Sequence, residues 1–339
     1  MKSLKVLGLA AGAAMFASQA MAGATLDAVM DRGAVRCGVA GTLAGFSIPD
    51  SQGVMQGLDA DVCRAVAAAV LGDANAVEFV PLSPQQRFTA LQSGEVDMLS
   101  RNTTWTLTRD TALGLNFTNV TFYDGQGFMV PTALGVSSAY ELNGAAVCVQ
   151  TGTTTEKNLT DFFRANNMSF DPVVFEGFEE SVTAFVSGRC DVYTTDASGL
   201  ASIRVSNVEN PDDYVILPEI ISKEPLGPVT RNDDDEWFDV VKWTVFALLQ
   251  AEEFGIDSSN VDDHLSSDDP GIQRLLGVSL GMGENMKINE KWAYNAIAQV
   301  GNYSEIFERH VGKNTPLGFE RGVNALWTDG GLMYAPPIR

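Results

Sequence analysis

The chain has 339 residues, 45% hydrophobic and 19% charged, enough for a large core and for two domains. Its formal charge of −21 excludes non-specific binding to nucleic acid or to anionic lipid. It does not set the sign of a ligand, because one local arginine can dominate a cleft.

The first residues read as a leader. Met1-Lys2-Ser3-Leu4-Lys5 is a positive start, Val6 to Ala17 is a short apolar run, and Ala20-Met21-Ala22 is a small-x-small cleavage signal. Residues 1–22 are therefore expected to be a secretory signal peptide cut after Ala22, with Gly23 opening the mature chain. No cysteine follows the cut, so no lipid anchor is expected. No later apolar run reaches spanning length, so the exported chain is expected to be soluble.

Four cysteines remain in that chain, Cys37, Cys63, Cys148 and Cys190, and three pairings are possible. Export favours disulfides. Cys37–Cys63 and Cys148–Cys190 are preferred because each bridge then stays within one expected lobe; buried free thiols are the other reading. The cysteines are dispersed and the only histidines are His264 and His310, so neither zinc nor a cofactor is expected.

In chain order, Ala34 to Val39 alternates as a strand, and Gly41 to Gly53 is loop, with Phe46 as an apolar side chain near the strand end. Asp59 is a candidate cap for a helix whose apolar face is Val62, Ala65, Val66, Ala69 and Val70, ending at Gly72. Val77 to Val80 is a second strand. Ser83-Pro84-Gln85-Gln86 is a capping box, and its helix buries Phe88 and Leu91 and stops at Gly94. Strands alternating with helices predict a mostly parallel sheet, with ligands beyond the carboxyl ends of the strands.

That end is the stretch Asp97–Arg109, DMLSRNTTWTLTR. It reads as a buried strand end, a polar loop through Asn102, Thr103 and Thr104, and a helical turn carrying Arg109. Hydroxyls and an amide beside one arginine suit a carboxylate, since a planar guanidinium can take both oxygens. A solvated strand-to-helix loop is the plain alternative.

Tyr123 to Val130 is predicted as one strand, and residues 131–138 as a crossover. The pattern then restarts. Ala145 to Val149 is a strand, Thr153 and Glu156 form a second capping box for a helix with Leu159, Phe162 and Phe163 on its apolar face, and Pro172 to Phe175 is a strand. TALQSGEVDMLSRN (89–102) also lies in register over TAFVSGRCDVYTTD (183–196), evidence for two similar halves. Facing halves bring Asn102 and Asp196 to one cleft, joined by the helix start at Thr153–Thr155, whose free N–H groups suit an anion. Arg109 and that helix end would take a carboxylate, and Asp196 an ammonium. For Asp196 alone, a helix cap is the other reading.

Val215 to Leu217 is the next strand, Ile221 to Pro228 a return crossover, Trp237 to Leu249 an apolar helix and Ile297 to Val311 a final helix. The tail GGLMYAPPIR is expected over the surface. Gly281-Met282-Gly283 lacks the lysine and hydroxyl of a phosphate loop, and Asp257 to Asp268 most ligands of a calcium loop.

The pieces VRCGV, GLDADVCRAVAAAV, RFTALQSGEVDMLSRNTTWTLTRD, FYDGQGFMV, VCVQTGTTTE, GRCDVYTTD, ILPEIISKEPLGPV, VGNYSEIFERHVG and GGLMYAPPIR together make the chain resemble a periplasmic amino-acid-binding protein of an ABC importer. The resemblance covers most of the mature chain. It is closest to the general L-amino-acid or glutamate/glutamine/aspartate/asparagine-binding branch of solute-binding protein family 3. It implies an α/β bilobed type II fold, two mixed sheets flanked by helices and joined by two crossovers. Residues 23–130 and 228–339 then form lobe 1 with a C-terminal helical extension, and residues 131–227 form lobe 2.

By the same resemblance, Arg109 holds the α-carboxylate of an L-amino acid, helped by Thr104 and Asn102 from its own lobe and by Thr154 and Gly152 from the other. Asp196 holds the α-ammonium, Arg87 sits where binders of acidic residues contact the side chain, and Phe46 sits at a wall position. The loop Ala40-Gly41-Thr42-Leu43 lacks the Asp or Arg of many relatives, which fits a broad preference. The implied protein is a periplasmic monomer that delivers its ligand to membrane permease subunits. An enzyme on the same fold, a cyclohexadienyl or arogenate dehydratase, and a chemosensory subunit are the alternatives. The clamp contains no evident nucleophile–base pair.

Overall fold

The computed structural model describes residues 23–339. The expected signal peptide and its cleavage site at Ala22 lie outside the described residues. Among the described residues no helix is long and apolar enough to cross a membrane.

The chain opens with α1 (Ala24–Arg32), β1 (Val35–Val39), the small hairpin β2 (Ile48–Pro49) and β3 (Met55–Gln56), α2 (Leu58–Leu71), β4 (Val77–Pro81), α3 (Arg87–Ser93), β5 (Met98–Leu99), α4 (Leu107–Ala112) and β6 (Leu115–Phe117). It leaves this lobe through β7 (Phe122–Asp124). The second lobe runs through β8 (Gln126–Pro131), β9 (Ala146–Gln150), α5 (Thr154–Ala165), β10 (Asp171–Phe175), α6 (Phe178–Val186), β11 (Val192–Asp196), α7 (Ala197–Ser206) and β12 (Tyr214–Ile216). It returns through β13 (Glu224–Leu226) and β14 (Val229–Arg231). The helices α8 (Asp235–Glu253), α9 (Pro270–Leu275), α10 (Met282–Asn285), α11 (Trp292–Val300) and α12 (Tyr303–His310) complete it.

The two five-stranded sheets have matching orders, β4-β1-β5-β14-β6 and β10-β9-β11-β8-β12. In each, three parallel strands are followed by an antiparallel strand that connects to a crossover: β14 pairs with β5 and β6, and β8 with β11 and β12. The internal repeat read from residues 89–102 and 183–196 therefore corresponds to equivalent places, with β5 and β11 third in their sheets. The crossovers β7 and β13 pair with each other as a two-stranded ribbon, Tyr123 opposite Pro225.

The disulfides are Cys37–Cys63 and Cys148–Cys190, each inside one lobe. The first ties α2 to β1, an interior strand of its sheet, and each stabilises the fold by roughly 2–4 kcal/mol through its constraint on the unfolded chain.

Several boundaries differ from those read in the sequence. The strand expected over Tyr123–Val130 is two strands in two different sheets, broken at Gly125. A Cβ there would lie 2.2 Å from Ile220 Cγ2 and 2.9 Å from the Ser222 carbonyl. Residues Gln126–Val130 thus belong to lobe 2, and the division expected after residue 130 falls at Gly125 instead. The expected crossover at 131–138 is only a short 3-10 turn, Thr132–Leu134. Asp124, Gly125 and Gln126 interrupt the apolar pattern at the junction, but the apolar residues on both sides read as one strand. The final helix is likewise two, because Gly301 at φ 101° ends α11 and Asn302 caps α12 in a reciprocal capping box with Glu305.

The C-terminal tail is not a surface strap. Met333, Ala335 and Ile338 are buried with α8, α11 and α12 in the lobe 1 core, while Tyr334 between them faces out. This segment also fastens the crossover. Asn324 accepts the Tyr123 N–H at 2.7 Å and donates to the Tyr123 carbonyl at 3.1 Å, and Tyr303 Oη donates to the Thr121 carbonyl at 2.7 Å. Phe122 packs among Phe46, Phe307 and Phe319. Asn324→Ala leaves both Tyr123 backbone groups without these partners, and a loss of about 1–3 kcal/mol is expected in chemical denaturation. An unchanged midpoint and slope would show that the contact carries no stability.

Candidate functional site

The carboxyl ends of both sheets face a common cleft of about 610 Å³, measured with its open mouth. From lobe 1 it is lined by Leu43, Pro84, Arg87, Arg101, Asn102 and Thr104, and from lobe 2 by Thr153, Thr154, Thr155, Phe178, Tyr193 and Asp196, among others. The lobes meet across it: Gln85 Nε2 donates to Thr151 Oγ1 at 3.1 Å, Ser202 Oγ to the Ala44 carbonyl at 2.6 Å, and Arg109 Nη2 to the Gly152 carbonyl at 3.4 Å.

Local sequence positions each group. Thr106 caps α4 by accepting the Arg109 N–H, which sets Arg109 on the first turn. Its guanidinium donates to the Thr104 carbonyl at 3.0 Å and, with Arg87, lies over the ring of Phe88. Two bonds to carbonyls leave it N–H groups to spare.

The Asn102 loop is held from below by Asp59. That residue was expected to cap α2, but Gly57 occupies the cap position and Asp59 is buried in the first turn. Its carboxylate accepts the Asn102 N–H at 2.8 Å and Ser100 Oγ at 3.1 Å. Asn102 has φ 34°, a conformation that these bonds stabilise. Burial pushes the Asp59 carboxyl up to about 6.

On the opposite wall, Thr153 caps α5 by accepting the Glu156 N–H at 3.1 Å. The Glu156 carboxylate reaches one residue further than a capping box requires, to the Gly152 N–H at 3.0 Å. The N–H groups of Thr154 and Thr155 have no hydrogen-bond partner among the described residues. They form a donor pair at the positive end of a helix.

Asp196 ends β11 and starts α7, yet its side chain makes no cap bond. Asp124 of β7 takes that place by accepting the Ser198 N–H at 3.3 Å. The helix-cap reading of Asp196 is therefore excluded, and its buried carboxylate faces the cleft. Burial and the neighbouring Asp124 and Glu224 raise its pKa well above the usual carboxylate range. Asp124 is pushed up to about 6, mainly by burial. Burial and the nearby Arg109 and Arg101 push Arg87 down, and its Nε is buried without a partner. Burial lowers Arg101 to about 10. Among the described residues, none of Arg87, Arg101, Arg109, Asp124, Asp196 and Glu224 makes a direct ion pair.

Of the residues singled out in the sequence, Arg87, Asn102, Thr104, Thr154 and Asp196 line the cleft, and Arg109 and Gly152 meet across it. Phe46 does not reach it. It is buried in the lobe 1 core, edge-on to Phe122 with ring centroids 5.2 Å apart, and Leu43 from the same loop forms the wall instead. Sequence reasoning missed Arg101, Asp124 and Glu224. The two acids lie in crossover stretches that also carry Gln126, Ser222 and Lys223, so no local pattern singled them out.

Two similar lobes closing on a cleft of buried, unpaired charges define a two-lobed ligand-binding protein. Residues 35–256 match the bacterial extracellular solute-binding proteins, family 3, and the chain belongs to that family. It is 55% identical over 339 residues to the general L-amino acid-binding periplasmic protein AapJ of Rhizobium johnstonii, covering 99% of each chain. It is 55% identical over 340 residues to the glutamate/glutamine/aspartate/asparagine-binding protein BztA of Rhodobacter capsulatus, covering all of both. The solved structure of an ABC transporter/periplasmic binding protein from Brucella ovis with glutathione bound superposes with a TM-score of 0.91 at 53% identity. It covers 93% of this chain and 99% of that one.

Gly152 has φ 75°, and a Cβ there would approach the Gln85 backbone and Cγ at 3.1–3.3 Å across the cleft. Gly152→Ala is expected to strain the turn and to oppose closure. Ligand affinity should fall about tenfold or more, mainly through faster release, with the fold retained. Stopped-flow dissociation checks this; an unchanged release rate would remove Gly152 from the closing contact.

Proposed function

We propose that this protein is the periplasmic substrate-binding component of an ABC importer for L-amino acids. It captures polar L-amino acids by lobe closure and delivers them to the membrane permease. The observation that carries the reading is the pair of opposed charges without an ion-pair partner: the Asp196 carboxylate from lobe 2, and the buried Arg109 guanidinium, bonded only to carbonyls, from lobe 1. A buried charge is tolerable when paired, and a zwitterion supplies both partners at once.

In this reading the ligand carboxylate lies between Arg109 and the free N–H groups of Thr154 and Thr155. The ammonium lies against Asp196, and Arg87 faces the side chain. The relatives named for general L-amino acids and for glutamate, glutamine, aspartate and asparagine support the ligand class. They also support export to the periplasm, following cleavage after Ala22. Glutathione, the ligand of the Brucella ovis structure, carries an α-amino-acid end on its glutamyl residue and belongs in the same test. Binding rather than catalysis is favoured because Glu156, the acid nearest to serving as a base, is committed to the Gly152 and Thr151 loop.

Calorimetry with the L-amino acids, glutathione, and the matching amines and 2-oxo acids tests the proposal. Arg109→Ala and Asp196→Ala should each weaken every amino acid by at least about 30-fold, while Arg87→Ala reorders them. Near-native affinity in Arg109→Ala would sink the assignment, and so would turnover of prephenate or arogenate without amino-acid binding.

The raised pKa of Asp196 adds a pH dependence. The free protein holds the Asp196 proton more tightly than a complex in which an ammonium faces it, so binding expels that proton. Below the raised free-state value, affinity should fall with pH by up to about tenfold per unit. Calorimetry in buffers of different ionisation heat should record proton release; proton uptake would contradict the ammonium placement.

A further inference from the structure

Glu224 of β13 lies at the junction of both lobes and both crossovers. It is one of the most buried acids of the chain, yet it forms no direct ion pair. Its Oε2 accepts from Thr104 Oγ1 at 2.6 Å and from Thr154 Oγ1 at 2.8 Å, one hydroxyl from each lobe. Its Oε1 accepts from Ser222 Oγ at 2.6 Å and from Asn158 Nδ2 at 2.8 Å. A carboxylate offers about four lone-pair sites, and four donors fill them. Glu224 therefore has no capacity left for a ligand.

Its consequence lies in what it does to the threonines. A hydroxyl has one hydrogen and two lone pairs. Thr104 and Thr154 both direct that hydrogen at Glu224, and their oxygens stand 3.3 Å apart at the cleft wall. Toward the cleft they can then only accept. Asp196 lines the same cleft, so the two hydroxyls and its carboxylate present only acceptors there, suited to the several N–H groups of an ammonium. This reverses the part that the resemblance gives the two hydroxyls.

We propose that Glu224 is a positioning residue that holds the Thr104 and Thr154 hydroxyls as acceptors, and so makes the cleft select a primary ammonium over a hydroxyl at the same carbon. This rests on the amino-acid reading above. An L-amino acid fills all the acceptors, whereas the matching L-2-hydroxy acid has one hydrogen to give and leaves acceptors unsatisfied.

The test compares the affinity ratio of L-glutamine and L-glutamate to their 2-hydroxy analogues in the wild type, Glu224→Met and Glu224→Gln. Methionine has a similar reach without a comparable acceptor, so the hydroxyl hydrogens can turn into the cleft and the ratio should fall by about tenfold or more. Glutamine keeps a carbonyl oxygen toward the threonines, since Ser222 and Asn158 can each turn to accept from its amide, and should restore much of the ratio. A merely structural role would weaken both ligand types together and leave the ratio unchanged, which overturns the proposal. Equal loss in both variants overturns it as well, because charge rather than acceptor geometry would then be responsible. Should Glu224→Met fail to fold, Thr154→Val removes one acceptor and must lower the same ratio; an unchanged ratio there overturns the proposal. Failure of the wild type to bind any amino acid would instead overturn the functional reading.

Discussion

Unpaired charge in a desolvated cleft is the constraint on which the structure depends. Arg87, Arg101, Arg109 and Asp196 are each under a tenth exposed, and none has an ion-pair partner within the described protein. Removing such groups from water costs several kcal/mol each unless hydrogen bonds or counter-charges offset it. The protein offsets it only partly. Arg101 donates to the Leu82 carbonyl, Arg109 to those of Thr104 and Gly152, and Arg87 weakly to the Arg101 carbonyl and Thr103. Asp196 is offset by nothing but distance-softened attraction to the arginines. The remaining imbalance is what a zwitterion relieves, and it is relieved only when both walls are in place.

The scaffold around the cleft keeps these groups from collapsing onto one another. Asp59 ties the Asn102 loop to α2, so that loop cannot relax toward Asp196. Asp124 occupies the start of α7 and thereby frees Asp196 from capping duty. Glu224 fills its own lone pairs from within. Three acids that share the cleft neighbourhood with Asp196 are thus committed to protein donors, and the one left without a partner is the one facing the cavity. That division of labour is a property of the crossovers as much as of the lobes, since Asp124 and Glu224 sit opposite each other on the β7–β13 ribbon.

What could be read from the sequence follows from the range of the interactions involved. The Thr153 cap, the helical turn that carries Arg109 and the repeat ending in Asp196 are local or periodic, and pattern shows them. The disulfides span 26 and 42 residues, and their preferred pairing follows from the expected lobes rather than from any local pattern. Phe46 lies a few residues from the cleft in the chain, but its direction is set by Phe122, 76 residues on. Glu224 meets Thr104 across 120 positions and Thr154 across 70, and no local pattern records those pairings. The tail failed as a surface strap because its apolar residues alternate with exposed ones, so its average polarity hides a buried edge. The break at Gly125 is marked in the chain only by the short polar stretch Asp124-Gly125-Gln126, and the steric demand there comes from Ile220 and Ser222, far along the sequence.

The same geometry argues for where motion can occur. The Thr121–Tyr123 side of the first crossover is pinned by Tyr303 and Asn324 and packed under Phe307 and Phe319, which ties it to lobe 1. Immediately beyond, the Ala197 N–H donates to the Gly125 carbonyl and the Gln126 N–H to Ser222, which binds the next residues to lobe 2 and the return strand. Rotation of one lobe against the other is therefore expected at Asp124–Gly125, where the backbone passes from one set of contacts to the other. The side-chain contacts across the cleft are Ser202–Ala44 at 2.6 Å, Gln85–Thr151 at 3.1 Å, Thr104–Thr154 at 3.3 Å and Arg109–Gly152 at 3.4 Å. A ligand that pairs Arg109 and Asp196 simultaneously adds a contact to each wall that only the closed arrangement offers, which is the differential affinity that closure needs.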